Sequence, residues 1–222
     1  IKNLNLTNFM TQDSIRVFER WTKFYTVFSF DQTFDAFSRF RTGEMPLVVQ
    51  PYTFYNQLSV AAPEIKGLWD FTLVPGTKQA DGTINHAANS AGSGAVIFNK
   101  VSNQSAAWEF VKWFTSTEIQ TDYGKQIEAL MGPMGRFDTA NVEALEQLPW
   151  STAEYEKISA QQSYLKEVPI IPASYAVTRH VNNAFRMVVN DAGNPRYTLM
   201  SYNDQIKSEI VRKYQELSSV NK

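Results

Sequence analysis

The chain contains no cysteine and only two histidines, His86 and His180. Disulfides and thiol catalysis are therefore excluded within it, and a zinc site of the usual nitrogen and sulfur donors is unsupported. Charge of either sign is also scarce in excess: 22 Asp and Glu face 21 Lys and Arg, for a formal net charge of −1. Such a balance offers no global field for nucleic acid or for an anionic membrane. No apolar run approaches the roughly 20 residues of a membrane helix. Internal repeats and low-complexity linkers are missing too. Gly92-Ser93-Gly94 lacks the Gly-Lys-Ser/Thr ending of a phosphate loop and precedes an apolar run, not a helix. Ser90 and Ser93 have no nucleophile-elbow motif and no base at a readable spacing. Asp35 with Glu44, or Glu64 with Asp70, would suit a glycosidase pair, but nothing around them marks a carboxyl that holds its proton. Together these absences argue against an enzyme.

What the chain has in excess is aromatic: 15 Phe, 10 Tyr and 5 Trp, 14% of the sequence. One reading is that Phe fills a core. The other is that aromatic faces meet the apolar C–H surface of a sugar ring, with Tyr and Trp adding a polar handle. With 222 residues, 43% hydrophobic and 19% charged, the composition is that of a globular chain able to bury a substantial core.

The organising stretch runs from Asn89 to Tyr123. A small-residue loop, Ser90 to Gly94, leads into an apolar run, Ala95 to Phe98, that reads as a buried strand. A helix then places Ala107, Phe110, Val111 and Phe114 on one apolar face. Trp108 and Trp113 belong to the same helix, as core or half-exposed packing. Ser116 stands where an N-cap belongs, with Glu118 in the first turn, so a second helix restarts at once.

Before this stretch, residues 11–26 form an amphipathic helix with Thr11 as N-cap and Ile15, Phe18, Trp21, Thr22 and Tyr25 on one face. Phe34, Phe37 and Phe40 mark a short helix that Gly43 stops. Leu47 to Val49 reads as a short buried strand, and residues 53–62 as a helix ended by Pro63. Alternation over Trp69 to Val74 predicts a strand, and Asp81-Gly82 a turn before a strand at 83–88. After it, helices are expected at 140–148 and 152–167, the latter with a Ser151/Glu154 capping box. Ser174 is read as the cap of a helix carrying Val177, Val181, Ala184, Phe185 and Val188. His180, beside Arg179, is read as a surface or satisfied histidine. Pro195 opens the last helix, with Leu199, Ile206, Ile210, Tyr214 and Leu217 on one face. Short strands among long helices argue α/β.

The ordered set of Gly92 and Gly94, the Asn99-to-Asn103 turn, Ala106-Ala107-Trp108-Glu109-Phe110, and Ser116, Glu118 and Gln120 resembles the family 1 extracellular solute-binding proteins of bacterial ABC transporters, the maltose-binding-protein-like group. Phe40 to Tyr52 is similar to another family segment, in which a strand ends at a cleft and an aromatic after a Pro stacks on ligand. Here Met45-Pro46 replaces the usual Ala-Met, and Tyr52 stands where Trp is commoner. The resemblance spans essentially the whole chain but only the second half of the family's pattern. It implies an α/β, periplasmic-binding-protein-like type II lobe, with a short central sheet flanked by many helices. Residues 1–222 would be a single C-terminal lobe, an excised piece whose N-terminal lobe is not in this sequence.

The function so implied is a non-catalytic receptor that closes two lobes on a solute, most often a sugar, and delivers it to an ABC permease. No cofactor, metal or nucleic acid is implied. The location would be the outer face of the membrane, on a lipid-anchored parent, or the periplasm. Carried over, the ligand-binding positions are Tyr52, Ser90, Gly92 for close backbone approach, Ser93, Arg136, Tyr175 and Arg179. Each keeps a plainer reading: Tyr52 as core, Ser90 and Ser93 as turn residues, Arg136 as the anchor of its loop, Arg179 as a surface ion pair. The rival from another class is a helix-rich protein-docking module without a small ligand, whose aromatic patch would spread along a helix face.

Overall fold

A computed structural model describes residues 7–90 and 92–220. Ile1, where the chain opens, and Ala91, within the expected Ser90–Gly94 loop, lie outside the described residues. In chain order the elements are α1 (Gln12–Thr26), α2 (Ala36–Arg41), α3 (Phe54–Ala61), β1 (Thr77–Lys78), β2 (Ile84–Asn85), β3 (Ala88–Asn89), α4 (Gln104–Phe114), α5 (Thr117–Met131), α6 (Val142–Gln147), α7 (Thr152–Gln162), β4 (Leu165–Lys166), α8 (Ser174–Val189) and α9 (Pro195–Val220). The chain is α/β and helix-rich. No helix among the described residues is long and apolar enough to cross a membrane.

Two compact units divide the chain. One takes in the chain up to Phe34 and from Pro169 onward; the other is Asp35–Val168.

The first unit is built from α1, α8 and α9. Thr11 caps α1 by accepting from the Ser14 N–H at 3.2 Å, as its position predicts. Ile15, Phe18 and Thr22 are buried, and Trp21 stacks on Phe185 with centroids 4.4 Å apart. Along α8, Ala176 and Ala184 are fully buried. Small side chains there let α9 approach closely and bring Ile206 and Ile210 into the core. Pro195 is the first residue of α9, where its missing N–H has no helical partner to lose. Ser174 does not cap α8. Ala173, at φ 81°, holds the N-cap position, while the Ser174 hydroxyl accepts from the Ile171 N–H at 2.8 Å. Leu217, expected on the core face, is 47% exposed near the end of α9.

The second unit keeps its caps but not its expected sheet. Asp35, Asn103, Ser116, Asn141 and Ser151 each accept a backbone N–H at a helix start. The Ser151/Glu154 capping box is complete. Gly43 follows α2 at φ 79°, the left-handed residue a helix end uses. In place of one central sheet, the described residues form two separate two-stranded ladders, β1–β2 antiparallel and β3–β4 parallel. The helix expected to reach residue 167 ends at Gln162, because Leu165 and Lys166 pair with Ala88 and Asn89.

Three expected strands are absent as ladders. Leu47 and Val49 are 87% and 67% exposed, and Val96 and Phe98 are each 81% exposed, so neither apolar run is buried. A strand needs a neighbour for its backbone groups, and an apolar run alone does not supply one. Trp69 to Val74 forms no ladder, yet its alternation survives: Trp69, Phe71 and Leu73 are half-buried while Asp70 and Thr72 are exposed. This run is tied to α7 by the Val74 N–H, which donates to Gln161 Oε1 at 2.9 Å.

The apolar face of α4 is also only partly covered. Ala107 and Val111 are half-buried, whereas Phe110 is 60% and Phe114 38% exposed, with their rings stacked 6.1 Å apart. Trp108 and Trp113 are exposed as well.

Candidate ligand site

Tyr52 follows Pro51 in the turn that starts α3, where the Tyr55 N–H donates to the Tyr52 carbonyl at 3.0 Å. The ring is half-buried against the core cluster of Leu145, Leu148 and Ile158, edge-on to Trp150 at 5.9 Å. Its hydroxyl donates to Asp138 Oδ1. Burial first, and then that carboxylate, push the hydroxyl well above the usual tyrosine range. Tyr52 is thus neither plain core nor a free platform: one end is anchored and the ring remains partly accessible.

Tyr55, one turn later, packs edge-on to Trp69 and Phe71 at 5.4 and 5.5 Å and lies 5.6 Å from Trp150. Its hydroxyl donates to Glu154 Oε1. Glu154 Oε2 accepts the Ser151 N–H at 2.8 Å, so the residue that completes the α7 cap also holds the aromatic cluster. Burial alone would raise the Glu154 carboxyl. The hydrogen bonds from Tyr55 and Ser151, with Arg136 nearby, bring it below its ordinary value instead.

Arg136 lies over the Trp150 ring, with Cζ 4.3 Å from the centroid. Its Nε and Nη2 donate to Glu128 at 2.8 to 3.2 Å, and the two side chains are only 10% and 13% exposed. That guanidinium edge is engaged by Glu128, which fits the reading of Arg136 as the anchor of the loop after α5. The remaining carry-over residues of this unit are more open. The Ser90 N–H donates to the Lys166 carbonyl at 3.1 Å, extending the β3–β4 pairing. Gly92 and Ser93 are exposed.

Gly92 has no close neighbour among the described protein atoms. Its φ is not positive, and a Cβ added there would meet no atom within 4 Å. A methyl group therefore has room at this position among the described residues. A Gly92→Ala variant is therefore expected to melt at the wild-type temperature or slightly above it, by up to about 1 kcal/mol of stability. A clear drop in melting temperature would contradict this.

Tyr175 and Arg179 belong to the other unit. Both are exposed on the first turns of α8, with Arg179 Cζ 5.8 Å from the Tyr175 ring centroid. The next residue, His180, departs from the sequence reading. It is 8% exposed, and neither ring nitrogen has a hydrogen-bond partner among the described residues.

The carboxylates weighed as a catalytic pair all have structural partners. Asp35 is lowered by Ser38 in the α2 cap, and Asp70 by Lys157. Glu64 is lowered by a backbone hydrogen bond and by Arg41, and Glu44 meets Arg39 at 3.4 Å. No group of three or more metal-ligating side chains occurs among the described residues.

The residues that the sequence reading missed here are Tyr55, Glu128, Asp138 and Trp150. One signal was present: Trp150 precedes a capping box, the position of a hydrophobic staple. The others come together only through contacts between residues distant in sequence, such as Tyr52 with Asp138.

Residues 22–121 match the family of bacterial extracellular solute-binding proteins, a group of binding proteins rather than, in general, enzymes. The match covers less than half of the chain and includes Tyr52, Ser90, Gly92 and Ser93. It supports a solute-binding role in ABC transport. No match was found among curated proteins.

Proposed function

We propose that this chain is the C-terminal lobe of a two-lobe, non-catalytic receptor that binds a carbohydrate outside the cell and passes it to an ABC permease. The observation that supports this best is the Tyr52 ring: half-buried, fixed by its hydroxyl on Asp138, backed by Trp150, and itself inside the stretch similar to solute-binding proteins. A fixed aromatic face can stack on a pyranose without first losing rotamer freedom. The N-terminal lobe would supply the opposing wall, and closure would bury the sugar between them. Within the same unit, Ser90 and Ser93 would contribute hydrogen bonds. The parent protein would be lipid-anchored at the membrane or periplasmic.

One lobe offers only part of such a clamp, so binding by the 222-residue chain is expected to be weak, roughly millimolar. Saturation-transfer difference NMR against maltotriose, monosaccharides, amino acids and short peptides detects affinities of that order. Signal from a sugar class that Tyr52→Ala removes is the expected result. Silence across the whole panel would overturn the reading.

A protein-docking module remains the second reading, and the exposed group of Phe110, Trp113 and Phe114 along α4 favours it. That group is an aromatic patch on a helix face, as such a module would present.

A further inference from the structure

We infer that Asp138 is a specificity-determining ligand residue of the Tyr52 site, accepting hydroxyls from a neutral sugar and turning away anionic ones. This rests on the receptor reading above.

The argument starts from how the polar groups around the aromatic cluster are engaged. Glu154 uses one oxygen for the Tyr55 hydroxyl and the other for the Ser151 N–H. Both Glu128 oxygens accept from Arg136. Asp70 accepts from its neighbour, the Phe71 N–H, through Oδ1 and from Lys157 through Oδ2. Asp138 differs: Oδ1 takes the Tyr52 hydroxyl, while the residue is exposed and Oδ2 has no partner among the described residues. An ionised carboxylate has acceptor capacity on both oxygens, so Asp138 keeps capacity beside the ring it anchors.

Its backbone is held on both sides. Phe137 packs edge-on against Tyr123 of α5 at 4.9 Å, and buried Thr139 donates through Oγ1 to Gln120 Oε1 at 2.9 Å. A carboxylate fixed in this way next to an aromatic ring presents an acceptor and an apolar face together. Two adjacent sugar hydroxyls and the C–H surface below them fit that arrangement. The Tyr52 hydroxyl already donates to Asp138, so the ring contributes its face and Asp138 the hydrogen bonds.

The test compares Asp138→Asn with wild type in titrations followed by ligand-observed NMR. The probes are maltotriose, galacturonate and arginine. Asparagine keeps an oxygen for the Tyr52 hydroxyl but loses the charge and replaces the second acceptor with a donor. Maltotriose affinity is expected to fall about tenfold, as for losing a hydrogen bond to a charged group, while galacturonate binding rises. An unchanged melting temperature would separate this from damage to the fold. Equal maltotriose binding by variant and wild type would overturn the role of Asp138 and leave the receptor reading standing. Arginine binding in preference to sugar would also overturn it, since a carboxylate beside an aromatic ring would then be a cation site. No binding of any probe would remove the receptor reading, and this inference with it.

Discussion

Replacing Glu128 with alanine is expected to destabilise the Asp35–Val168 unit by about 3–5 kcal/mol, the range for breaking a buried ion pair from one side. The pair is nearly dry, with side chains 10% and 13% exposed and the closest contact at 2.8 Å. Removing the carboxylate leaves the Arg136 guanidinium over Trp150 without its charged partner. Desolvation of an unpaired charge then dominates, because an arginine does not shed its proton to escape it. Urea unfolding read by tryptophan emission reports the loss as a lower midpoint at unchanged slope. The double variant Glu128→Leu/Arg136→Met is expected to recover most of it, since apolar replacement of both partners leaves no orphaned charge. A single-variant loss under about 1 kcal/mol would mean that water reaches the pair and screens it.

Ile206→Ala carries the second large effect. Ile206 is fully buried on α9, packed with Ala173, Ala176 and Ile210. Its truncation is expected to cost about 2–5 kcal/mol, from lost transfer energy and from the cavity left behind. Leu217, on the same sequence-predicted face but 47% exposed, provides the contrast. Leu217→Ala is expected to change stability by less than about 0.5 kcal/mol. Similar losses at both positions would contradict the burial that separates them.

Gly124 shows why part of this fold was illegible beforehand. A Cβ there would lie 2.5 Å from Leu148 Cδ2, so α5 approaches the end of α6 closely enough that any side chain must displace Leu148. In the sequence it is simply a glycine inside a helix, a weakness by propensity. Gly92, by contrast, reads as a site of close approach, and a Cβ there would meet no protein atom within 4 Å. The same residue type carries opposite meanings, and the neighbour that decides between them is a non-local one. The candidate site behaves similarly. Tyr52 was identifiable from Pro51 and the run before it, but Asp138 and Trp150 were not, because their link to Tyr52 spans most of the unit.

By itself the sequence determined the helices, most of the starts that carry a side-chain cap, and most of the buried faces of α1, α8 and α9. Those features rest on interactions within one or two turns, such as Thr11 on Ser14 and Ser151 with Glu154, together with a periodicity that survives any partner. The tertiary structure decided which apolar runs are covered. Leu47 to Val49 and Ala95 to Phe98 have the composition of buried strands and no ladder, whereas β3 pairs with β4 across the length of α4 to α7. A strand acquires its identity from the chain beside it, and that neighbour is a property of the whole fold, not of the segment.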